Sequence, residues 1–339
     1  MFSFIPNEYF LLAFGFILLI KGGDWFVDAA TGIAKRFHLP ELLIGATVVS
    51  IGTTLPEVMT SVIGAASNNG SAAFGNAIGS IICNTSLIAA LTIAIKPGKA
   101  DKKTLIFPVC FFFGAAALFS VFSYVFGSFE RWMGILLLCG FVAYMIINVI
   151  NMKKNPTEQE ENAIDECEIS DSDKNSSLPF IKDVAVLIGA IAVIAIGADL
   201  AVSNIGYVAL SLGVPPSVVN TTILALATSL PEFVTAITAL MKGHGALSLG
   251  NIIGANIFNI VLVSGASITI NPFDVPVDAT FLGMNASLLF TLPLAIVTMM
   301  LLTIPPICRG KLQRWQGIAL LALYGLYCVL LYAILPNFA

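Results

Sequence analysis

The chain has 339 residues, of which 58% are hydrophobic and only 11% charged, with a formal net charge of -4. Soluble domains carry about 25% charged residues, so a chain this apolar has too little polar surface to face water on all sides. A conventional soluble enzyme is excluded, and with only two histidines, His38 and His244, so is a zinc protease of the HExxH type. The cysteines, Cys83, Cys110, Cys139, Cys167, Cys308 and Cys328, are scattered without a CxxC pair, which implies neither a disulfide framework nor a thiolate metal site. The negative balance comes mainly from one short acidic segment, and no nucleic-acid partner is expected.

Apolar stretches of roughly 20 residues or more can cross a bilayer. Ten are expected, near 8–33, 41–66, 71–95, 104–126, 131–151, 180–210, 216–241, 246–270, 279–303 and 314–335. The first lacks a basic n-region and runs too long for a cleavable leader, so it reads as a retained span. The joints are short except for the charged, Ser- and Asn-rich segment after the fifth span. That segment has too little apolar content to fold alone and reads as a flexible linker. The expected organisation is a five-helix half over 1–152, an acidic linker over 153–178 and a second five-helix half over 179–339.

Loops facing the cytoplasm are enriched in Lys and Arg. Lys35 and Arg36 follow the first span; Lys96, Lys99, Lys102 and Lys103 the third; Lys153, Lys154, Lys174 and Lys182 the fifth; Lys242 the seventh; Arg309, Lys311 and Arg314 the ninth. The alternate loops hold only Arg131. A multi-pass cell-membrane protein is expected, with both termini outside the cytoplasm and the linker within it.

An internal repeat is the strongest signal. Ser50-Ile51-Gly52-Thr53-Thr54-Leu55-Pro56-Glu57 recurs as Ala225-Leu226-Ala227-Thr228-Ser229-Leu230-Pro231-Glu232, 175 residues later. The same offset pairs Asp24 with Asp199, Pro40 with Pro215, Thr60 with Thr235, Gly75-Asn76 with Gly250-Asn251, Gly79 with Gly254 and Asn84 with Asn259. Five spans per half is odd, so the halves enter the membrane from opposite sides, as in the inverted repeats of secondary transporters.

Glu57 and Glu232 lie inside apolar spans, where an ionisable group costs roughly 2.5–3.5 kcal/mol on insertion scales. No Lys or Arg occurs in spans two, three, seven or eight apart from Lys242 at a loop edge, so the natural counter-charge is a bound cation. The alternative is a pair of protonated glutamates hydrogen-bonded across helices. Pro56 and Pro231 precede the two acids, and a proline inside a helix displaces the carbonyl four residues earlier. Backbone oxygens near Gly52 and Ala227 are therefore expected to be free as hard-cation ligands, against the plainer reading of packing kinks.

Helical spacing lines up Ser50, Thr53, Thr54, Glu57 and Thr60 or Ser61, and likewise Ala225, Thr228, Ser229, Glu232 and Thr235. On the following spans Asn76, Ser80 and Asn84 fall four apart, as do Asn251, Ala255 and Asn259. The expected cluster offers only oxygen, which suits Ca2+ and argues against zinc or copper. The paired GxxxG glycines read as close helix contacts. Asp24 and Asp199 read as structural or gating groups, with Lys21 placed to neutralise Asp24. The segment from Asp171 to Ser176 opens like an EF-hand loop but lacks the glycine and the closing glutamate, so a solvated loop is the default.

With these motifs the chain resembles the cation/calcium antiporter superfamily, specifically its prokaryotic sodium/calcium exchangers. The specific part is the pair of alpha-repeats, 22–88 and 197–263, with Gly-Thr-Thr-Leu-Pro-Glu and Ala-Thr-Ser-Leu-Pro-Glu as signatures. The resemblance implies an all-α integral membrane protein of ten helices in two inverted repeats. In it, spans two, three, seven and eight form the core and spans one and six a sliding pair. It implies exchange of Na+ for Ca2+ by alternating access, no cofactor and one complete pathway per chain. Mapped by motif, Glu57 and Glu232 match the central carboxylates and Thr53 and Thr228 the threonines that join them around Ca2+. Ser50 and Ala225 match the positions giving backbone carbonyls to Na+, and Thr54, Ser229, Ser80, Asn84 and Asn259 match polar site positions. Asn259 stands where relatives often have aspartate, and Ala255 where a serine equivalent to Ser80 is expected. These departures keep H+ open as an alternative coupling ion. A cation channel and an intramembrane enzyme are weaker rivals, the first because of the two-fold repeat within one chain, the second for want of a catalytic constellation.

Overall fold

The computed structural model describes residues 7–37, 39–154, 177–211, 229–277, 280–281 and 284–334. Residues 155–176 of the expected linker, His38 and most of the first part of the seventh span lie outside these. The described elements are almost entirely helical: α1 (Asn7–Arg36), α2 (Glu41–Ala66), α3 (Gly70–Ile95), α4 (Lys102–Phe126), α5 (Arg131–Lys154), α6 (Ser177–Ser211), α7 (Leu230–Met241), α8 (Gly245–Ile270), α9 (Ser287–Arg309) and α10 (Arg314–Ile334). Eight of these are long and apolar enough to cross a membrane, while α7 and α10 fall at the seventh and tenth expected spans.

Helix starts follow local chemistry. Asn69 accepts a hydrogen bond from the Ala72 amide at 3.0 Å, and Asp101 accepts from the amides of Lys103 and Thr104. Each side chain satisfies first-turn donors that a helix leaves unpaired. α1 packs along α6 so tightly that a Cβ at Gly15 would stand 2.9 Å from the Gly197 carbonyl oxygen.

The middle of the bundle is α8, 89% of whose central stretch is buried, against 33% for α1. α8 presses on the start of α2: a Cβ at Gly250 would meet the Leu42 backbone at 2.8 Å, and one at Gly254 would meet the Ala46 Cα at 2.6 Å. Only glycine permits backbones this close, as the GxxxG pattern suggests. For Gly75 and Gly79, their repeat mates, no described residue stands within 4 Å of such a Cβ.

The joints sort into two groups. Ala100 donates to the Gly310 carbonyl at 3.0 Å and Leu312 to that of Gly98 at 2.8 Å, bringing the joints after α3 and α9 together. Strands β1 (Ser128–Phe129) and β2 (Phe273–Asp274) pair antiparallel, and Asn271 donates to the Ala65 carbonyl, bringing the joints after α2, α4 and α8 together. A second two-residue pair joins β3 (Thr280–Phe281) to β4 (Met284–Asn285). These ladders are local clasps that an all-α expectation omits.

Candidate functional site

α2 carries a π-helical turn at Gly45–Val49 and then runs as α-helix from Ser50 through Pro56 to Ala66. The sequence places a backbone disturbance near Gly52, where Pro56 has no amide to donate; the π turn is a further disturbance one turn earlier. There the carbonyls find partners of their own: Ser50 Oγ donates to the Gly45 carbonyl at 2.8 Å and the Tyr144 hydroxyl to that of Ala46 at 3.2 Å. A π turn survives at depth only when such partners replace the lost ladder bonds. In the second half the described helix begins at Leu230 with Pro231 in its first turn, a position a proline tolerates well.

Further π turns open at Asn84 and at Asn259, the repeat-related pair. Ser264 Oγ closes the second by donating to the Asn259 carbonyl at 2.9 Å, the five-residue reach that Ser50 makes to Gly45.

The expected stripe on α2 is buried: Ser50, Thr53, Thr54, Glu57 and Ser61 face inward, while Thr60 is exposed. Glu57 is fully buried, Glu232 is 1% exposed, and the two carboxyls are close enough to interact electrostatically. Thr54 Oγ1 donates to Glu232 Oε1 at 3.5 Å. Among the described residues the Glu57 oxygens and Glu232 Oε2 find no partner beyond each other, and the side-chain amides of Asn84 and Asn259 find none. Ser80 is 3% exposed. Thr228 and Ala225 lie outside the described residues.

Asn251 on α8 is the hub that spacing alone underrates. Its Oδ1 accepts from Thr53 at 3.2 Å and from Ser50 at 3.3 Å, its backbone carbonyl accepts from Ser50 at 2.9 Å, and its Nδ2 donates to Thr235 at 3.0 Å. Asn76, its repeat mate, donates to the Glu57 carbonyl at 3.2 Å and to Ser61 at 2.8 Å. The repeated Gly-Asn pairs carried the signal for both. Asn256, buried on α8, donates to Thr85 at 2.7 Å; nothing in the repeat register pointed to it.

Two expectations are corrected. Asp24 is paired with Lys242, whose Nζ stands 3.4 Å from its carboxylate and 2.7 Å from that of Asp28, rather than with Lys21; the ammonium at the seventh span's end serves two carboxylates at once. Nor is the cluster free of sulfur, because the buried Cys83 thiol lies beside Ser229, one residue before Asn84. Among the described residues no three His, Cys, Asp or Glu side chains gather as a metal-binding group. A cation held here would draw on two carboxylates completed by hydroxyl, amide and carbonyl oxygens, a hard-oxygen set.

Membrane-length helices around a pair of buried acids are the architecture of an integral membrane transport protein. The chain belongs to the sodium/calcium exchanger family: the model of the family described as sodium/calcium exchanger protein matches residues 7–150 and 182–333. It is 32% identical to the sodium/calcium exchanger MaX1 of Methanosarcina acetivorans over 97% of this chain and 100% of that one. It is also 32% identical to the inner membrane protein YrbG of Escherichia coli, over 78% of this chain and 80% of the other. A solved structure of the sodium-calcium exchanger NCX_Mj superposes with a TM-score of 0.76 at 30% identity, covering 97% of this chain and 99% of that one. The family is one of cation exchangers and not of enzymes.

Proposed function

We propose that the protein is a secondary antiporter that exchanges Na+ for Ca2+, with the ions bound around Glu57 and Glu232. The observation that carries this reading is the pair of buried carboxyls that, among the described residues, meet each other and a Thr54 hydroxyl but no basic side chain. Two carboxylates match the charge of one Ca2+, and Na+ competes for the same oxygens, so binding one ion requires release of the other. Thr53, Thr54, Ser229, Ser80, Asn84 and Asn259 line the same interior, with Thr228 and the backbone carbonyls of Ser50 and Ala225 assigned by motif.

In this reading the chain has ten spans in two inverted halves, 1–152 and 179–339, joined by a cytoplasmic linker over 153–178, with both termini on the far side. The gathering of alternate joints into two groups supports it. One chain forms a complete pathway, and the site opens to one side at a time by movement of the α1–α6 pair over the core.

The test is 45Ca2+ uptake into Na+-loaded proteoliposomes, with Glu232→Gln as the blank. Uptake driven by outward Na+ and lost in the blank is expected; robust flux in the blank refutes the site. One observation favours a second reading: Ala255, fully buried, removes a hydroxyl that a Na+ shell would use. Uptake driven only by a pH gradient would keep the glutamates and replace Na+ with H+.

A further inference from the structure

The Tyr144 hydroxyl reaches from α5 to the π turn of α2, and the bonding of that turn shows what it replaces. In an α-helix the Ser50 amide would donate to the Ala46 carbonyl; here it donates to the Gly45 and Thr47 carbonyls instead. Ala46 is left an acceptor without that donor, and Tyr144, fully buried, supplies one at 3.2 Å. Asn148, one turn further along α5 and also fully buried, lies beside the hydroxyl. There its amide can donate to the phenol oxygen, which leaves the hydroxyl proton for Ala46. α5 is otherwise an outer helix, with only 28% of its central stretch buried.

A packing role would not need the hydroxyl. The ring meets Phe107, Phe111 and Phe258 at centroid distances of 5.9, 4.8 and 6.1 Å, contacts that a phenylalanine would keep. What the hydroxyl holds is a turn that sets helical phase. One residue more or fewer in a turn rotates everything after it by about 100°. After this turn comes the inward face of Ser50, Thr53 and Glu57. Asn251 meets that face across the interface, accepting from Ser50 and Thr53. Ala46 stands at the same crossing, since a Cβ at Gly254 would strike both Ala46 and Ser50.

We propose that Tyr144 is a positioning residue for cation binding: by holding the Ala46 carbonyl it keeps the π turn in place, and so keeps Thr53 and Glu57 turned toward the ions. The proposal rests on the reading that the ions bind around Glu57 and Glu232. Tyr144 touches no ion and acts through the phase of α2.

The test is isothermal titration of Ca2+ and of Na+ into the full chain in detergent, with ion-free thermal unfolding measured alongside. Tyr144→Phe is expected to raise both dissociation constants about twofold to tenfold, the worth of one hydrogen bond, and Asn148→Leu to raise them less in the same direction. Tyr124→Phe is the control. Its hydroxyl donates to the Leu288 carbonyl in the π turn at Ser287–Thr291, which carries no candidate ligand, and its loss leaves both constants unchanged. A combined Tyr144→Phe/Ser50→Ala variant is expected to lose less than the sum of its parts, because both hydroxyls hold one turn. A purely structural tyrosine would lower the unfolding temperature and leave the constants alone. Parent-like constants in Tyr144→Phe, or an equal loss in Tyr124→Phe, overturn the proposal; if Tyr144→Phe does not fold, Asn148→Leu decides by the same constants. Glu57→Gln separates the two levels. If it keeps the parent's Ca2+ affinity, the two-glutamate reading falls and the proposal with it; if it loses affinity while Tyr144→Phe does not, the proposal alone falls.

Discussion

Replacing Glu57 by Gln separates an ion-binding acid from a structural one, because the two roles give opposite signs in the absence of ions. Glu57 is fully buried and, among the described residues, its carboxyl finds no hydrogen-bond partner beyond Glu232, a contact that an amide of nearly the same volume can still make. It also removes a carboxyl that resists burial, so in ion-free detergent the variant is expected to be as stable as the parent or more stable. Adding Ca2+ reverses the order. Taking one partner from a buried charge pair costs about 3–5 kcal/mol, which at ~1.4 kcal/mol per decade lowers Ca2+ affinity by roughly 10²- to 10³-fold or more. At a Ca2+ concentration about a hundred times the parent dissociation constant, the parent gains ~2.7 kcal/mol of stability and the variant about 0.4 or less. Coulomb energy scales with ion charge, so the Na+ loss is about half that in free energy, roughly one to two decades. Ion-dependent thermal unfolding joined to isothermal titration reads all three quantities. A variant clearly less stable than the parent without ions, or one that keeps the full Ca2+ shift, would sink the argument.

The two GxxxG glycine pairs should respond unequally. Gly254→Ala drives a methyl into the Ala46 backbone and the Ser50 hydroxyl, which overpacking puts at about 1–3 kcal/mol or more, whereas Gly79→Ala meets no described residue within 4 Å. Thermal unfolding of the two variants checks this, and equal losses would contradict it. Asn251→Leu leaves the hydroxyls of Thr53 and Thr235 without their amide partner and Ser50 with only its carbonyl acceptors, a loss of about 1–3 kcal/mol. It should also weaken Ca2+ binding, since Thr53 loses the contact that orients it; unchanged calcium titration would show that Thr53 is positioned by something else.

The parts of the fold and site that could be read from the chain are those that repeat or alternate. Hydropathy marked the helices because a bilayer demands length and apolarity together, and the 175-residue register singled out Glu57 and Glu232 because an acid there is costly in each half separately. Spacing on α2 predicted an inward face, and burial agrees at Ser50, Thr53, Thr54 and Glu57. The same spacing offered Thr60 and Ser61 equally, and packing against Asn76 chose Ser61.

What could not be read is which faces meet. Helical periodicity tells which residues share a face but not what lies across from it, and Ser50 meets Asn251 across 201 residues of chain. Spacing puts the partner of Asp24 three residues away, yet it stands at Lys242, because a local pair on an exposed helix face holds weakly while a crossing helix end delivers one cation to two carboxylates. The π turns were equally hidden. Pro56 marks where a ladder bond is missing, but the π turn lies a turn earlier, where Ser50 and Tyr144 donate to its carbonyls. A π turn settles where side chains can satisfy its carbonyls, and only those partners, not the proline, could have said where that would be.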